Sequence, residues 1–129
     1  MVKEWSFPVA LRWYLAICNG SKKVEGRVPD PSKPEKDYSK IACDDILLFF
    51  PVSDDFKKIN EHSEARFPVA YNMKYSSVSK MLESEGLSRV LPGINTIPEG
   101  VTIYHSFPGY EERIKLHGIH AIGLGRRVS

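Results

Sequence analysis

The segment Gly20-Ser21-Lys22-Lys23-Val24-Glu25-Gly26-Arg27 sets a lysine, a carboxylate and an arginine in the spacing G-x-K-x-x-E-x-R. An arginine offers a planar fork suited to phosphate or carboxylate, and a lysine offers a compact charge whose pKa falls on burial. A carboxylate between two cations stays ionised, which makes Glu25 a hydrogen-bond acceptor and a candidate general base. A base is useful only within about 3 Å of the proton it removes. In an extended strand Glu25 and Arg27 project from one face about 6–7 Å apart, and Lys22, at the preceding turn, can swing to either side. The same spacing describes a surface ion pair of little worth to stability, and by spacing alone that is the commoner outcome.

The elements around the cluster follow from pattern. Glu4 to Phe7 reads as a short strand stopped by Pro8. Leu11, Tyr14, Leu15 and Cys18 recur at helical spacing, and Asn19-Gly20 supplies a left-handed cap. From Lys23 to Val28 the chain alternates, with Val24, Gly26 and Val28 on one face and Glu25 and Arg27 on the other. Prolines 29, 31 and 34 make the stretch to Lys40 a loop. Asp44-Asp45 opens an apolar strand, Ile46 to Phe50. Ser53 to Ser63 is a polar excursion anchored by Phe56 and Ile59.

Ala65, Phe67, Val69, Tyr71 and Met73 alternate as a half-buried strand, with Pro68 marking an edge or a bulge. Ser76 or Ser77 caps a helix with Val78, Met81 and Leu82 on one face, ending at Gly86. Thr96 and Glu99 form a capping box with Pro98 in the first turn, starting a helix with Ile97, Val101 and Tyr104. The chain breaks near Pro108-Gly109, resumes helically from Tyr110 to His117, turns at Gly118 and closes with a strand from Ile119 to Leu124. Short strands that do not strictly alternate with helices indicate an α+β fold. Such strands bury an interior best by curling into a small barrel plugged by helices.

A chain of 129 residues, 42% hydrophobic and 26% charged, has the size and composition of one soluble globular domain spanning 1–129. No apolar run approaches the roughly 20 residues that cross a bilayer, so no membrane partner is expected. Met1-Val2-Lys3-Glu4-Trp5 has no signal-type apolar core, which argues against secretion. Cys18 and Cys43 have no paired spacing and read as free thiols in a reducing compartment. The net charge of +2 is mild for a duplex-DNA binder. The basic excess is local, at Lys22, Lys23, Arg27, Lys33, Lys36, Lys40 and Arg126-Arg127, and becomes one positive cleft if these groups converge.

Other signals are weaker. His117 and His120 straddle Gly118 without a cysteine or carboxylate at metal spacing, so no metal is expected. Gly123-Leu124-Gly125 lacks the third glycine of a dinucleotide loop and reads as a strand bend, and no cofactor motif exists. Arg126-Arg127-Val128-Ser129 matches a basophilic kinase site only as a short pattern common by chance. Among Trp5, Trp13, Tyr14, Tyr71, Tyr75 and Tyr104, candidates to stack bases, Trp13 stands out because it falls off the helix's apolar stripe, although an exposed tryptophan covering a loop is the commoner outcome of that placement. Phe49, Phe50 and Phe67 are expected in the core.

With Gly20, Lys22, Glu25 and Arg27 in place, the chain resembles the ASCH family, whose G-x-K-x-x-E-x-R motif they match. The likeness extends to the preceding helix and to Tyr75-Ser76-Ser77-Val78-Ser79-Lys80-Met81-Leu82-Glu83. It continues through Val90-Leu91-Pro92-Gly93, Ile97 to Tyr104, and Gly118-Ile119-His120-Ala121-Ile122. The resemblance implies a PUA-like β-barrel of about five to six strands with flanking helices. It also implies a cleft with the motif at its floor, binding RNA or a nucleotide-like small molecule through Lys22, Lys23, Glu25, Arg27 and Trp13. There Lys22 and Arg27 would hold phosphate or a base carbonyl, and Glu25 would accept from a base amino group. Partners in transcription or translation, in the cytoplasm or nucleus, belong to the same expectation.

Some members of the family are enzymes. Acetylcytidine amidohydrolases combine the motif lysine with a threonine nucleophile and a glutamate. Here Glu25 matches the threonine position, so Lys22 and Glu25 would be the catalytic groups of a hydrolase lacking the hydroxyl. A metal-independent ribonuclease would use Lys22 and Arg27 to stabilise a phosphorane, with Glu25 or His105 as base. A ligand-free interaction module would instead show a dry, self-paired cluster and no cleft.

Overall fold

The computed structural model describes residues 2–55, 57–59 and 62–129. Five strands, β1 (Glu4–Ala10), β2 (Val24–Arg27), β3 (Ile46–Val52), β4 (Ala65–Tyr75) and β5 (Ile119–Leu124), form one sheet in the order β1-β3-β4-β5-β2. The helices are α1 (Leu11–Asn19), α2 (Val78–Glu85), α3 (Leu87–Val90), α4 (Ile97–His105) and α5 (Tyr110–His117). The β1–β3 pair is parallel and the other pairs are antiparallel. The sheet curls into a half-barrel, an α+β fold of the PUA-like type. It is not a closed barrel: β1 and β2 are its two unpaired edges.

Pro8 does not stop β1, which runs on to Ala10. The Ile46 N–H donates to the Lys3 carbonyl, and the register sets Glu4 beside Ile46. The odd-numbered residues of β1 therefore carry the ladder to β3, while the amides of Glu4, Ser6, Pro8 and Ala10 face away from it. Pro8 has no N–H to lose on that side, which is why an edge strand accepts it. Pro51 is accommodated similarly, since β4 pairs with β3 only as far as Phe49. Pro68 lies inside the sheet, not at its edge. It sits where β4 passes from β3 to β5, next to a register shift between Val69 and Tyr71, so the bulge expectation holds and the edge expectation does not.

Local signals explain the helix ends. Gly20 takes the left-handed conformation at φ 86° and closes α1. Ser77 accepts from the Lys80 N–H, and Thr96 accepts from the Glu99 N–H, so both expected N-caps form. The buried face of α1 is Tyr14 and Ile17, whereas Leu15 is exposed. Two apolar clusters fill the interior. One gathers Phe7, Ile17, Leu47, Phe49 and Phe67 under β1, β3 and α1; the other gathers Val24, Met81, Leu82, Tyr104 and Ile119 between the sheet and α2 and α4. Trp13 packs against both. Phe50, expected in the core, is only half-buried, with Lys58 5.4 Å from its ring centre.

The loop before β3 contains two short 3-10 turns, Pro34–Lys36 and Tyr38–Lys40, and Tyr38 is buried. In the second excursion Ile59 donates its N–H to the Pro51 carbonyl, and Phe56 lies outside the described residues. Among the described residues no helix is long and apolar enough to cross a membrane. Cys18 and Cys43 are free thiols.

Candidate functional site

Because β1 and β2 are unpaired edges of one curled sheet, a seam runs between them, and along it opens a cleft of about 1030 Å³. Its volume is at the upper end of what a small-molecule site offers. Lys22, Glu25 and Arg27 line it together with Trp13, so four of the expected site residues converge. Lys23 does not line it; its side chain is exposed and its backbone bridges Arg89 and Leu124. Tyr38, Tyr104 and Tyr110 add aromatic walls, and both long loops contribute, through Asp30 and Lys33 on one side and Ser53 and Asp54 on the other.

The motif is neither a surface pair nor an open claw. Lys22 is 2% exposed and Glu25 6%. The Lys22 ammonium donates to the Val24 carbonyl at 2.8 Å and to the Val90 carbonyl, and lies 3.4 Å from Glu25 Oε1. Oε1 also accepts the Gly26 N–H at 3.1 Å, while Oε2 accepts from Nε and Nη2 of Arg27 at 3.3 and 3.1 Å. Both carboxylate oxygens are thus filled, as are the three ammonium protons. Nη2 of Arg27 also donates to the Pro8 carbonyl at 2.8 Å, a bond that crosses the seam from β2 to β1.

Parity explains this arrangement. The Leu124 N–H donates to the Lys23 carbonyl, so Lys23, Glu25 and Arg27 carry the ladder to β5, and the amides of Val24, Gly26 and Val28 face the seam. Lys22 and Glu25 engage that edge, and Arg27 reaches to the opposite one. The charged motif therefore closes a sheet edge that would otherwise present unpaired backbone groups.

Burial pushes the Lys22 ammonium below its usual pKa, and the Glu25 carboxylate only partly offsets this. Burial also works against the Glu25 charge, but Lys22 and Arg27 outweigh it and hold the carboxyl below the usual range. Burial opposes the Arg27 charge as well, and Glu25 overcomes it to raise the guanidinium's pKa. Burial raises both Tyr104 and Tyr110, so their hydroxyls stay protonated at neutral pH.

Gly26 is required by a close approach. A Cβ there would lie 2.6 Å from Tyr104 Oη and 3.1 Å from Met81 Cε, and both side chains are buried. Gly26→Ala is expected to destabilise the fold by about 1–3 kcal/mol through overpacking, read as a lowered urea midpoint with an unchanged slope. An undiminished midpoint would mean that Tyr104 retreats freely.

Several expectations separate here. Lys33 and Lys36 join Lys22 and Arg27 at the cleft, but Lys40 and Arg126-Arg127 do not, and Lys3 and Arg113 do. These six cations face five lining carboxylates, Glu25 among them, so the cleft is close to charge balance instead of strongly positive. Tyr71 and Tyr75 stand elsewhere, donating to Glu85, and Tyr14 is buried under the first cluster. His105 is exposed at the end of α4 and does not line the cleft. His120 is buried in β5 with Nδ1 2.8 Å from Asn72 Oδ1. Among the described residues no cluster of His, Cys, Asp and Glu could hold a metal ion. Sequence reasoning missed Tyr38, Tyr110 and Arg113; Phe107-Pro108-Gly109 just before α5 was the available sign that its aromatic start would fold over the motif.

No known family profile matches the chain, and no curated protein matches it. Solved structures do. The hypothetical protein PH0355 is 32% identical at a TM-score of 0.77, with 97% of this chain and 99% of that one covered. PF0455 from Pyrococcus furiosus is 30% identical at a TM-score of 0.67, covering 94% of each. A variant of ZmASCH from Zymomonas mobilis shares the fold at 14% identity and a TM-score of 0.56, with 96% of this chain and 68% of that one covered. The half-barrel, the seam and these likenesses lead to one assignment: the chain belongs to the family of PH0355 and PF0455 and has the fold of the ASCH protein from Zymomonas mobilis.

Proposed function

We propose that the protein is an RNA- or nucleotide-binding module that admits one unpaired base, or a free nucleoside or nucleotide, into the seam cleft. The observation that carries this reading is one concave cleft with Lys22, Glu25 and Arg27 of the motif at its floor and Trp13, Tyr38, Tyr104 and Tyr110 around it. Aromatic faces and fixed polar groups suit recognition of a splayed-out base. Near charge balance disfavours tracking a long phosphate backbone, which needs an excess of cations. Lys22 and Glu25 act by fixing the floor, since their hydrogen bonds are spent within it. Arg27 keeps Nη1 without a hydrogen bond among the described residues and is the motif group best able to meet the ligand.

The test is titration of isotope-labelled protein with the four ribonucleosides and their 5′-monophosphates. Shifts are expected at the Trp13 indole N–H and the Gly26 and Arg27 amides, with affinity only weakly dependent on salt. Unmoved resonances at millimolar ligand would sink the proposal.

A hydrolase reading draws on one feature, the Lys22 ammonium with its pKa lowered by burial at the floor of a cleft. Against it, the lysine's protons and both Glu25 oxygens are engaged, and no hydroxyl stands at the motif position that the amidohydrolase chemistry uses. Incubation with N4-acetylcytidine is expected to give no cytidine; turnover that Glu25→Gln abolishes would reverse the preference.

A further inference from the structure

Several of the seam's outward-facing backbone groups near the motif are taken. On β2, Lys22 holds the Val24 carbonyl and Glu25 holds the Gly26 N–H. On β1, the Pro8 carbonyl is held by Arg27, and Pro8 has no N–H. Ser6, two residues earlier, has the same outward parity as Pro8 and lines the cleft. Its N–H and carbonyl form no hydrogen bond among the described residues. Glu4 and Ser6 thus each keep a donor and an acceptor side by side on the edge, and Ser6 is the one next to Pro8 and the motif.

We propose that the Ser6 backbone N–H and carbonyl read the Watson–Crick edge of the bound base. This rests on the base-binding reading above and names the atoms that recognise the base. Each nucleobase carries an adjacent donor and acceptor on that edge, such as N3–H and O4 of uracil or N6–H and N1 of adenine, which a strand amide pair can match. The edge is occupied in a duplex, so recognition requires an unpaired base. An extended peptide is the other natural occupant of a free strand edge, but it needs donors and acceptors at every second residue. Pro8 and the Arg27-held carbonyl interrupt that series after Ser6, and the edge is blunted against strand addition.

The experiment compares wild type, Ser6→Pro and Ser6→Ala against uridine and 3-methyluridine. Ser6→Pro removes the N–H and leaves the ladder to β3, as Pro8 already does, so its melting temperature should stay near that of wild type. Its affinity for uridine is expected to fall about tenfold, the worth of one hydrogen bond in a sheltered site. Ser6→Ala, which keeps the amide, should bind like wild type. 3-Methyluridine, whose edge donor is blocked, should bind wild type about tenfold more weakly than uridine, and this arm decides the matter if Ser6→Pro fails to fold. Uridine binding to wild type that neither Ser6→Pro nor methylation weakens overturns the Ser6 assignment alone. No binding of any nucleoside to wild type overturns it together with the base-binding reading. An extended heptapeptide that shifts the Ser6 amide, where uridine does not, overturns it in favour of strand addition.

Discussion

Lys22→Met is expected to cost about 3–5 kcal/mol of folding stability, the penalty for removing one partner of a buried charged pair. The loss has two sources. Glu25 would keep only Arg27 to balance its buried charge, and the Val24 and Val90 carbonyls would lose their donor in a place where the lysine is almost wholly enclosed. Urea unfolding of wild type and variant measures it directly. Pairing the change with Glu25→Leu should cost less than the sum of the single changes, because each single variant breaks the same contact. A loss below about 1 kcal/mol would place Lys22 in the ordinary class of exposed lysines, contrary to its burial. Such a result would reopen the notion of a lysine free to swing toward a ligand.

The second large effect is at Glu25. Glu25→Gln leaves Lys22 and Arg27 as two enclosed cations without a counter-charge, at an expected cost of about 3–5 kcal/mol near neutral pH. The Glu25 carboxyl is held below its usual value in the folded protein by the two cations, which overcome its burial. The unfolded chain therefore binds the proton first as pH falls. The stability that the charge contributes is whole above the unfolded value of about 4.3, and drains away as pH falls through the lower folded value. The difference in stability between wild type and Glu25→Gln should accordingly be largest near neutrality and shrink below about pH 4. Taking the difference removes other carboxylates such as Asp45, which is also held low, despite its burial, by hydrogen bonds from Ala42, Lys3 and Trp5. A difference that stays constant between pH 3 and pH 7, on the order of the range just given, would show that the charge of Glu25 is not what the cluster uses.

The motif is first of all architecture. Of three side chains that spacing would allow to grip an anion, Lys22 and Glu25 instead seal the β2 edge and Arg27 ties it across the seam to β1. A ligand would meet the surfaces this positioning creates: the aromatic walls, the remaining face of Arg27 and the free amide of Ser6. The self-paired cluster expected of a ligand-free interaction module is present, yet so is the cleft which that reading excludes.

Much of the fold was legible in local pattern. Gly20, Ser77 and Thr96 each mark a helix end through contacts reaching no more than about four residues along the chain. The alternation around Glu25 gave the strand and assigned the right side chains to each face. Pro8 misled, because whether a proline ends a strand depends on which side its missing N–H would face, and that depends on the neighbouring strand. Leu15 misled similarly: helical spacing identified a stripe, but the position of β3 decided that Ile17 and not Leu15 turns inward.

The sequence by itself determined the elements, their caps and the identity of the motif, because each rests on short-range sterics and hydrogen bonding. The use of the motif was decided only by tertiary structure. Arg27 finds its second acceptor at Pro8, 19 residues away, and Lys22 finds one at Val90, 68 residues away. No periodicity encodes those distances. They exist because a curled sheet of this strand order leaves β1 and β2 facing each other, and buried charges must be paired wherever the fold brings partners to them.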